Sequence, residues 1–183
     1  VFEIEGVLNG FSDVEYVTKD ADSVFWIAEK QFGMIRYSEG NYTDTILPIS
    51  PKSTDIYSLD FLNNELYISH GGHVKFNYLG NKNGVSIMDN FNTWRNYNYE
   101  ELNNSRDILS SLFFDEKEFF ASWGNGIIVL KNQKYLLTYG YENTDGVLDT
   151  ISWRQTNNKI RISDLKLDKY GNLWGLNSEV EKP

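Results

Sequence analysis

The stretch Asp168-Lys169-Tyr170-Gly171-Asn172-Leu173-Trp174 follows an alternating segment, Ile162 to Leu167, and has the pattern of a strand, a tight turn and a second strand. Asp168 can accept hydrogen bonds from backbone N–H groups of the turn, and Gly171 tolerates the positive φ that a short hairpin turn requires. Leu173 and Trp174 begin the second strand with large apolar side chains. The stretch therefore predicts an antiparallel β-hairpin.

Weaker copies of this hairpin precede it. Asp20 lies six residues before Trp26, as Asp168 lies six residues before Trp174, and the corresponding aromatic residues are spaced by 41, 53 and 54 positions. They are Trp26, Tyr67, Phe120 and Trp174. A four-stranded propeller blade repeats every 40–50 residues or so. The repeat predicts an all-β fold, a β-propeller fragment of three to four four-stranded antiparallel blades. A β-sandwich is the alternative, but it does not explain a repeated hairpin with an Asp turn.

The whole chain, 1–183, is expected to be one partial propeller. The approximate blades are 13–48, 54–98, 106–156 and 160–183, the last of them incomplete, with 1–8 as a strand of a preceding or closing blade. Because propellers close rings of about four to eight blades, we expect an open arc in which another chain or the missing remainder of a longer protein covers the free edges. We also expect three side chains to point into the interfaces between blades, because each follows a turn at the start of a second strand: Trp26, Leu66 and Leu173.

Composition argues against several kinds of function. The formal net charge of −9 and the pI near 4.7 argue against nucleic acid and against an anionic membrane surface as partners. Cysteine is absent, which excludes disulfides, thiolate metal sites and cysteine nucleophiles. The longest apolar run, Ile127 to Leu130, is too short to cross a membrane. No nucleophile elbow or phosphate-binding loop is present in the sequence.

Few residues suggest a binding site. Trp123 and Asn125 lie in Ser122-Trp123-Gly124-Asn125-Gly126, where the glycines leave the indole ring open to a sugar or a peptide, although packing between blades is the favoured role for it. His70 and His73 are the two histidines, and they lie in a Gly-rich loop. Two ligands do not complete a metal site, so an ordinary exposed loop is favoured. These four residues are the predicted binding residues, and we expect no catalytic residue, metal or cofactor.

Two polar insertions, His70 to Asn83 and Gly140 to Asn158, are longer than hairpin turns require. Repeat proteins carry such insertions on one face, often the binding face. In the second insertion Asn143 and Asp149 offer oxygen atoms to Ca²⁺, but a full set of acidic ligands is lacking and a turn is favoured. A protein partner is favoured over an anionic polysaccharide unless the cations gather locally. Those cations are Lys75, Lys82, Arg95, Arg154, Lys159 and Arg161.

The repeat resembles the two-component-regulator type of propeller of Bacteroidetes, whose blades carry a D-x-x-G-x-L/I-W pattern followed by a Gly-apolar strand. A narrower resemblance, to the PorZ family, covers most of the chain. The segments that carry it are Trp26-Ile27-Ala28 with Gly33-Met34-Ile35, Pro48 before Thr54 to Leu59, Ser122 to Ile127, Asp168 to Leu173, and Asn177 to Pro183. The sequence departs from the family pattern at Gly175, where a β-branched residue is usual, and at His70-Gly71-Gly72, where Pro-Gly-Gly is typical.

The resemblance to PorZ implies a non-catalytic binding and scaffold module, part of the N-terminal propeller of a cell-surface component of the type nine secretion system. Family members act beside the sortase that attaches cargo to anionic lipopolysaccharide. The implied partners are proteins of that complex, with an anionic glycan or lipopolysaccharide second, and without nucleic acid or membrane insertion. The implied location is the outer membrane exterior, with the periplasm as the alternative.

Two other functions stay open. The broader resemblance fits the glycan-sensing periplasmic propeller of a hybrid two-component histidine kinase. A propeller enzyme such as a lyase or a glycosidase would need clustered carboxylates, His, Tyr or Arg at the central face.

Overall fold

The computed structural model describes residues 13–30, 33–38, 41–46, 50–151 and 159–178. This part of the chain is all-β and contains sixteen strands and no helix. The strands are β1 (Val14–Lys19), β2 (Phe25–Glu29), β3 (Gly33–Ser38), β4 (Asn41–Ile46), β5 (Ser58–Leu62), β6 (Glu65–Ser69), β7 (His73–Val74), β8 (Asn77–Tyr78), β9 (Val85–Met88), β10 (Trp94–Tyr97), β11 (Ile108–Phe114), β12 (Lys117–Gly124), β13 (Gly126–Lys131), β14 (Lys134–Tyr139), β15 (Ile160–Leu167) and β16 (Leu173–Asn177). The same ranges include no helix with the length and apolar character of a membrane span.

The chain divides into two units, Val1–Ser50 and Pro51–Pro183. In the first unit, β1 to β4 form a four-stranded antiparallel sheet in chain order. Ile27 and Ile35 pair across β2 and β3, and both are fully buried. The strand predicted at 1–8 lies outside the described residues.

The second unit contains two complete blades and the start of another. β5, β6, β9 and β10 form one antiparallel sheet, and β11 to β14 form the next. β15 and β16 form a hairpin, and the end of β12 pairs with the start of β15 at Trp123 and Arg161. With the sheet of the first unit, these are the four-stranded antiparallel blades of a β-propeller fragment, so the predicted fold class is confirmed. By position along the chain, the sheets are called the first to the fourth blade.

Two apolar cores hold the second unit together, one on each face of the third blade. Alternation along β13 divides its side chains between them, because successive strand residues point to opposite faces. Ile128 and Leu130 belong to the core shared with the second blade, whereas Ile127 and Val129 belong to the core shared with the fourth. All four side chains are buried. The apolar run Ile127 to Leu130 therefore belongs to β13, a central strand of a blade that is covered on both faces.

The three residues expected at blade interfaces differ in their surroundings. Leu173 packs against the core between the third and fourth blades, as predicted. Leu66 is half-buried, and its neighbour Tyr67 is fully buried instead. Trp26 is half-buried too, and the fully buried residue of β2 is Ile27. The register predicted for Trp26 and Leu66 was wrong by one residue, because position after the turn does not determine which of two successive strand residues faces inward.

Beside the fourth blade lies an apolar groove of about 740 Å³. Its walls include Leu137 and Tyr139 of β14 together with Leu173 and Gly175 of β16. Within the described residues, β16 pairs with β15 alone. The open arc stays a prediction.

The connections between strands of the second unit differ in length between its two ends. Tight turns join β5 to β6, β11 to β12 and β13 to β14, through positive-φ pairs such as Asn63-Asn64. The long connections, 70–84, 98–107 and 140–159, join strands at the other end of the sheets because strand direction alternates in an antiparallel sheet. This end is called the loop face below.

Candidate functional site

The loop face is built by backbone contacts between connections of different blades. Gly71 donates a backbone hydrogen bond to the carbonyl oxygen of Ile108 at 2.8 Å. A Cβ at position 71 would lie 2.2 Å from that oxygen, so the close approach requires glycine. The segment His70-Gly71-Gly72 differs from the typical Pro-Gly-Gly in its first residue, but it keeps the glycine that this contact needs. Between Gly72 and Gly80, strands β7 and β8 form a small hairpin that the sequence did not predict.

Asp107 fastens this connection to the next blade. Its two carboxylate oxygens accept the backbone N–H groups of Gly80 and Asn81 at 2.8 and 2.9 Å. The backbone N–H of Asp107 donates to the carbonyl oxygen of Asn81 in return. Asp107 is buried, and its burial raises the pKa of the carboxyl group. The carboxylate has a structural task, because two backbone donors already hold both oxygens.

A pocket of about 560 Å³ opens between these connections. Both predicted insertions contribute to it, together with the connection between the second and third blades and the turn after β12. The residues that line it are Tyr78, Tyr99, Asn104, Arg106, Asp107, Trp123, Gly124, Asn125, Thr138, Gly140, Tyr141, Glu142, Asn143, Lys159 and Ile160. Aromatic rings, side-chain amides and cations dominate this lining.

The cations of the pocket are held against aromatic rings. Lys159 Nζ lies 3.9 Å from the ring centroid of Tyr78. Arg106 and Lys82 share Tyr99, at 5.4 and 4.7 Å from its centroid. A cation over the face of an aromatic ring is attracted by the ring quadrupole. The two insertions are thus joined at Tyr78 and Lys159, which belong to different blades.

Trp123 lies in the interior and contacts two further groups. Its ring stacks on His73, with centroids 4.4 Å apart and planes at 17°, and the guanidinium of Arg161 lies 5.2 Å from its centroid. Only 4% of Trp123 is exposed. The ring is packed between blades, which is the role favoured from the sequence, and Trp123 also lines the pocket. The flanking glycines suggested an open ring, but side chains from the neighbouring blades cover it.

Asn125 is exposed and lines the pocket. Its side-chain oxygen accepts the backbone N–H of Arg106 at 3.3 Å, and its own backbone N–H donates to Ser122 Oγ at 3.1 Å. Asn125 therefore orients the segment that carries Arg106.

His70 does not reach the pocket. It is fully buried, its Nδ1 donates to the carbonyl oxygen of Asp55 at 2.7 Å, and its Nε2 contacts Ser86 Oγ at 2.7 Å. Both ring nitrogens are engaged, so this packing contradicts the prediction that His70 is a binding residue. The expected exposed loop was wrong here because the imidazole is fully buried and each ring nitrogen has a polar partner.

His73, unlike His70, lies at the edge of the site. Its Nδ1 donates to the carbonyl oxygen of Lys75 at 2.6 Å, which leaves Nε2 as the acceptor of the Tyr57 hydroxyl at 3.1 Å. With Trp123, it supports the wall of the pocket. Among the described residues, no group of three His, Cys, Asp or Glu side chains is arranged to hold a metal ion.

The suspected Ca²⁺ loop is a turn in this structure. Asn143 accepts the backbone N–H of Gly140 and donates to the carbonyl oxygen of Thr138, both at 2.8 Å. Asp149 accepts the backbone N–H of Thr150 at 2.7 Å.

Sequence reasoning anticipated part of the cationic group. Lys82, Lys159 and Arg161 do gather with the rings of the loop face, whereas Arg95 lies in a network between blades and Arg154 lies outside the described residues. Arg106, Tyr78 and Tyr99 were missed. Their signal in the sequence is weak, because each stands alone in a polar connection and only the fold brings them together.

Comparison with known proteins gives structural neighbours only. No family profile and no curated protein matches the sequence. PorZ of Porphyromonas gingivalis, a surface component of the type-IX secretion system, matches at a TM-score of 0.63 and 23% identity, over 91% of this chain and 23% of that one. The extracellular domain of BT4673 from B. thetaiotaomicron, assigned to a hybrid two component system, matches at a TM-score of 0.44 and 14% identity, over 90% of this chain and 19% of that one. This chain spans about a quarter of the length of PorZ, and the likeness shows the propeller fold.

Proposed function

We propose that this chain is a non-catalytic binding module of an exported, cell-surface protein of the type nine secretion system. Its function is to bind a partner at the loop face, in the pocket between the second, third and fourth blades. The favoured partner is a protein of a secretion and attachment complex, and the second candidate partner is an anionic glycan.

One observation carries this proposal. Connections from different blades, far apart in sequence, converge on one pocket, while the turns at the other end of the second unit are short. Long connections cost little stability, and scaffolds place binding residues on them. The likeness of the fold to PorZ supports the assignment to a secretion component.

The arrangement of acids supports a non-catalytic module. Asp107 and Glu142 are the carboxylates that line the described pocket. Asp107 is committed to two backbone N–H groups, and Glu142 lies exposed on its connection. General acid–base catalysis needs a positioned group of matched pKa within reach of the substrate. A single exposed acid does not supply the pair that glycoside hydrolysis uses.

A glycan-sensing propeller fits the pocket less well. Sugar rings stack on open aromatic faces, but Tyr78 and Tyr99 already carry cations and Trp123 is buried, which leaves Tyr141 as the exposed ring of the described lining without a cation. We therefore rank the sensor below the secretion module.

The hairpin at the loop face allows a direct test. In the full-length protein, residues 74–79 are replaced by Gly-Gly, which removes Tyr78 and the tip of the hairpin. Surface attachment of secreted cargo and pull-down of the sortase complex are expected to fall. The matched control replaces the turn Asn132-Gln133, at the opposite end of the third blade, with Gly-Gly and leaves both unchanged. Unchanged attachment and pull-down in the loop-face variant would remove this pocket from the function, and turnover of a glycan by the purified chain would contradict a non-catalytic module.

A further inference from the structure

We infer that the pocket binds a single carboxylate group of an acidic polypeptide segment. This inference rests on the proposed function, because it specifies the chemistry of the partner at the same pocket. Two cations line the pocket, Arg106 from the 98–107 connection and Lys159 from the 140–159 connection. A third, Lys82 of the first insertion, lies over the ring of Tyr99, which also lines the pocket.

These cations are available to a ligand. None of the three forms an ion pair with a carboxylate among the described residues. Tyr78 and Tyr99 hold the cations in place without neutralising them. Asp107, whose charge interacts with Arg106, is already held by two backbone N–H groups. A cation on a ring keeps its hydrogen-bond donors, which an incoming carboxylate can accept. The site therefore presents preorganised positive charge.

The surroundings limit how much negative charge the site accepts. Exposed acids stand on the same connections as the cations, and they are Glu100, Glu101, Glu142 and Asp145. The chain as a whole carries −9. At physiological salt, charges interact over about 8 Å. A single carboxylate adds one negative charge beside these cations, whereas an extended polyanion also meets the acids on the same connections and is repelled.

The remaining lining suits a peptide. Asn104 is exposed and lines the pocket. An amide side chain both donates and accepts, which matches a peptide group. Cations lie over the rings of Tyr78 and Tyr99, so of the exposed tyrosines in the described lining Tyr141 alone offers a ring without a cation for stacking on a sugar. Charge and amide contacts therefore favour an acidic peptide over a polysaccharide.

The test compares two probe peptides on the full-length protein. Acetyl-Ala-Glu-Ala-amide and acetyl-Ala-Gln-Ala-amide have nearly the same shape and differ in one charge. Titrations followed by NMR shifts of the pocket amides are expected to show the Glu peptide binding at least tenfold more tightly. Its affinity should fall as the salt concentration rises, because salt screens the contact between the carboxylate and the cations. Equal binding of the two peptides would overturn the inference.

Variants test whether the pocket cations cause the preference for the Glu peptide. Arg106→Gln and Lys159→Gln, made separately, should each reduce the preference for the Glu peptide several-fold, and Arg106→Lys should retain it. Lys134→Gln is the matched control, because Lys134 is an exposed lysine in the tight turn at the opposite end of the third blade. A preference that survives in both pocket variants would contradict the site.

Polygalacturonate serves as the competing probe. Tight binding of this polyanion with a steep salt dependence, together with no binding of the Glu peptide, would assign the pocket to an acidic glycan and overturn the peptide assignment. The outcome is separable from the proposed function. If the hairpin variant loses cargo attachment while the two peptides bind equally, the secretion module stands and the carboxylate inference fails.

Discussion

Three aspartates make the same local structure at three turns. In each case Asp Oδ1 accepts two backbone N–H groups, two and four residues downstream, and the three residues are Asp20, Asp89 and Asp168. In Asp20 and Asp168 the second oxygen also accepts the indole N–H of the tryptophan six residues on, at 2.8 and 3.1 Å. At Asp89 the corresponding position is Arg95, so the indole bond is missing. The repeated Asp and Trp pattern is thus a turn clamp, and it explains why Trp174 is 64% exposed although it is large and apolar.

The clamp makes a prediction about pH. The side-chain hydrogen bonds from Asn172 and Trp174 lower the pKa of Asp168 to about 2, whereas the unfolded chain has about 3.9. A lowered pKa means that the clamp contributes its full stability above the unfolded pKa and loses it as pH falls through about 2. In the Trp174→Phe variant we expect the pKa of Asp168 to rise toward 3.9. The measurement is an NMR titration of the Asp168 carboxyl carbon. Trp94→Phe is the control, because the Trp94 indole does not bond to Asp168. An unchanged midpoint of the Asp168 titration in Trp174→Phe would contradict the clamp.

Among whole elements, a charged network joins the second and third blades. Arg95 of β10 donates to Glu65 of β6 at 2.6 and 2.8 Å and to Glu118 of β12 at 2.9 Å. The hydroxyl groups of Tyr67 and Tyr97 also donate to Glu118, at 3.1 and 2.9 Å. Burial, followed by the charge of Glu118, raises the pKa of both tyrosines above the ordinary range, so they stay protonated donors. The network satisfies a buried carboxylate beside an apolar core.

Removal of one partner from this network should be costly. Arg95→Met leaves Glu118 buried without its cation, and breaking a buried pair in this way costs about 3–5 kcal/mol. The free energy of unfolding from urea melts is the measurement. Lys117→Met is the matched control, since its partner Asp115 is exposed and a surface pair contributes about 1 kcal/mol or less. Equal losses in the two variants would show that Arg95 does not stabilise the blade interface.

Elements were predictable to different degrees, for physical reasons. β11, Ile108 to Phe114, lies within the segment 106–156 expected to form a blade, because its apolar residues and the two-residue turn that follows are local features of the sequence. The hairpin β7–β8 was not predictable, since Asp107 of the neighbouring blade holds the segment beside it in place. The pocket was predictable only as two insertions on one face. Its residue set depends on the approach of separate blades, and the burial of Trp123 depends on His73 and Arg161, which come from other blades.

At the scale of the whole molecule, charge and loop length are distributed unevenly. The chain is strongly acidic, yet Lys82, Arg106 and Lys159 lie together on the loop face. A local cluster of this kind selects an acidic partner by its position, while the net charge keeps other polyanions away. The two apolar cores and every residue that lines the pocket belong to the unit Pro51–Pro183.

That distribution predicts that the second unit carries the site by itself. A fragment of residues 51–183 should keep the stacking of His73 on Trp123, because both cores that support the two rings are present. Ring-current shifts of the His73 imidazole protons, compared with those of the 1–183 chain, report on the stack. A fragment of residues 51–151 is the control, since it lacks β15, which removes Arg161 from Trp123 and opens the core at Ile162 and Leu165. We expect the shifts to persist in 51–183 and to vanish in 51–151. Their loss in both fragments would mean that the first unit is required to hold the pocket together.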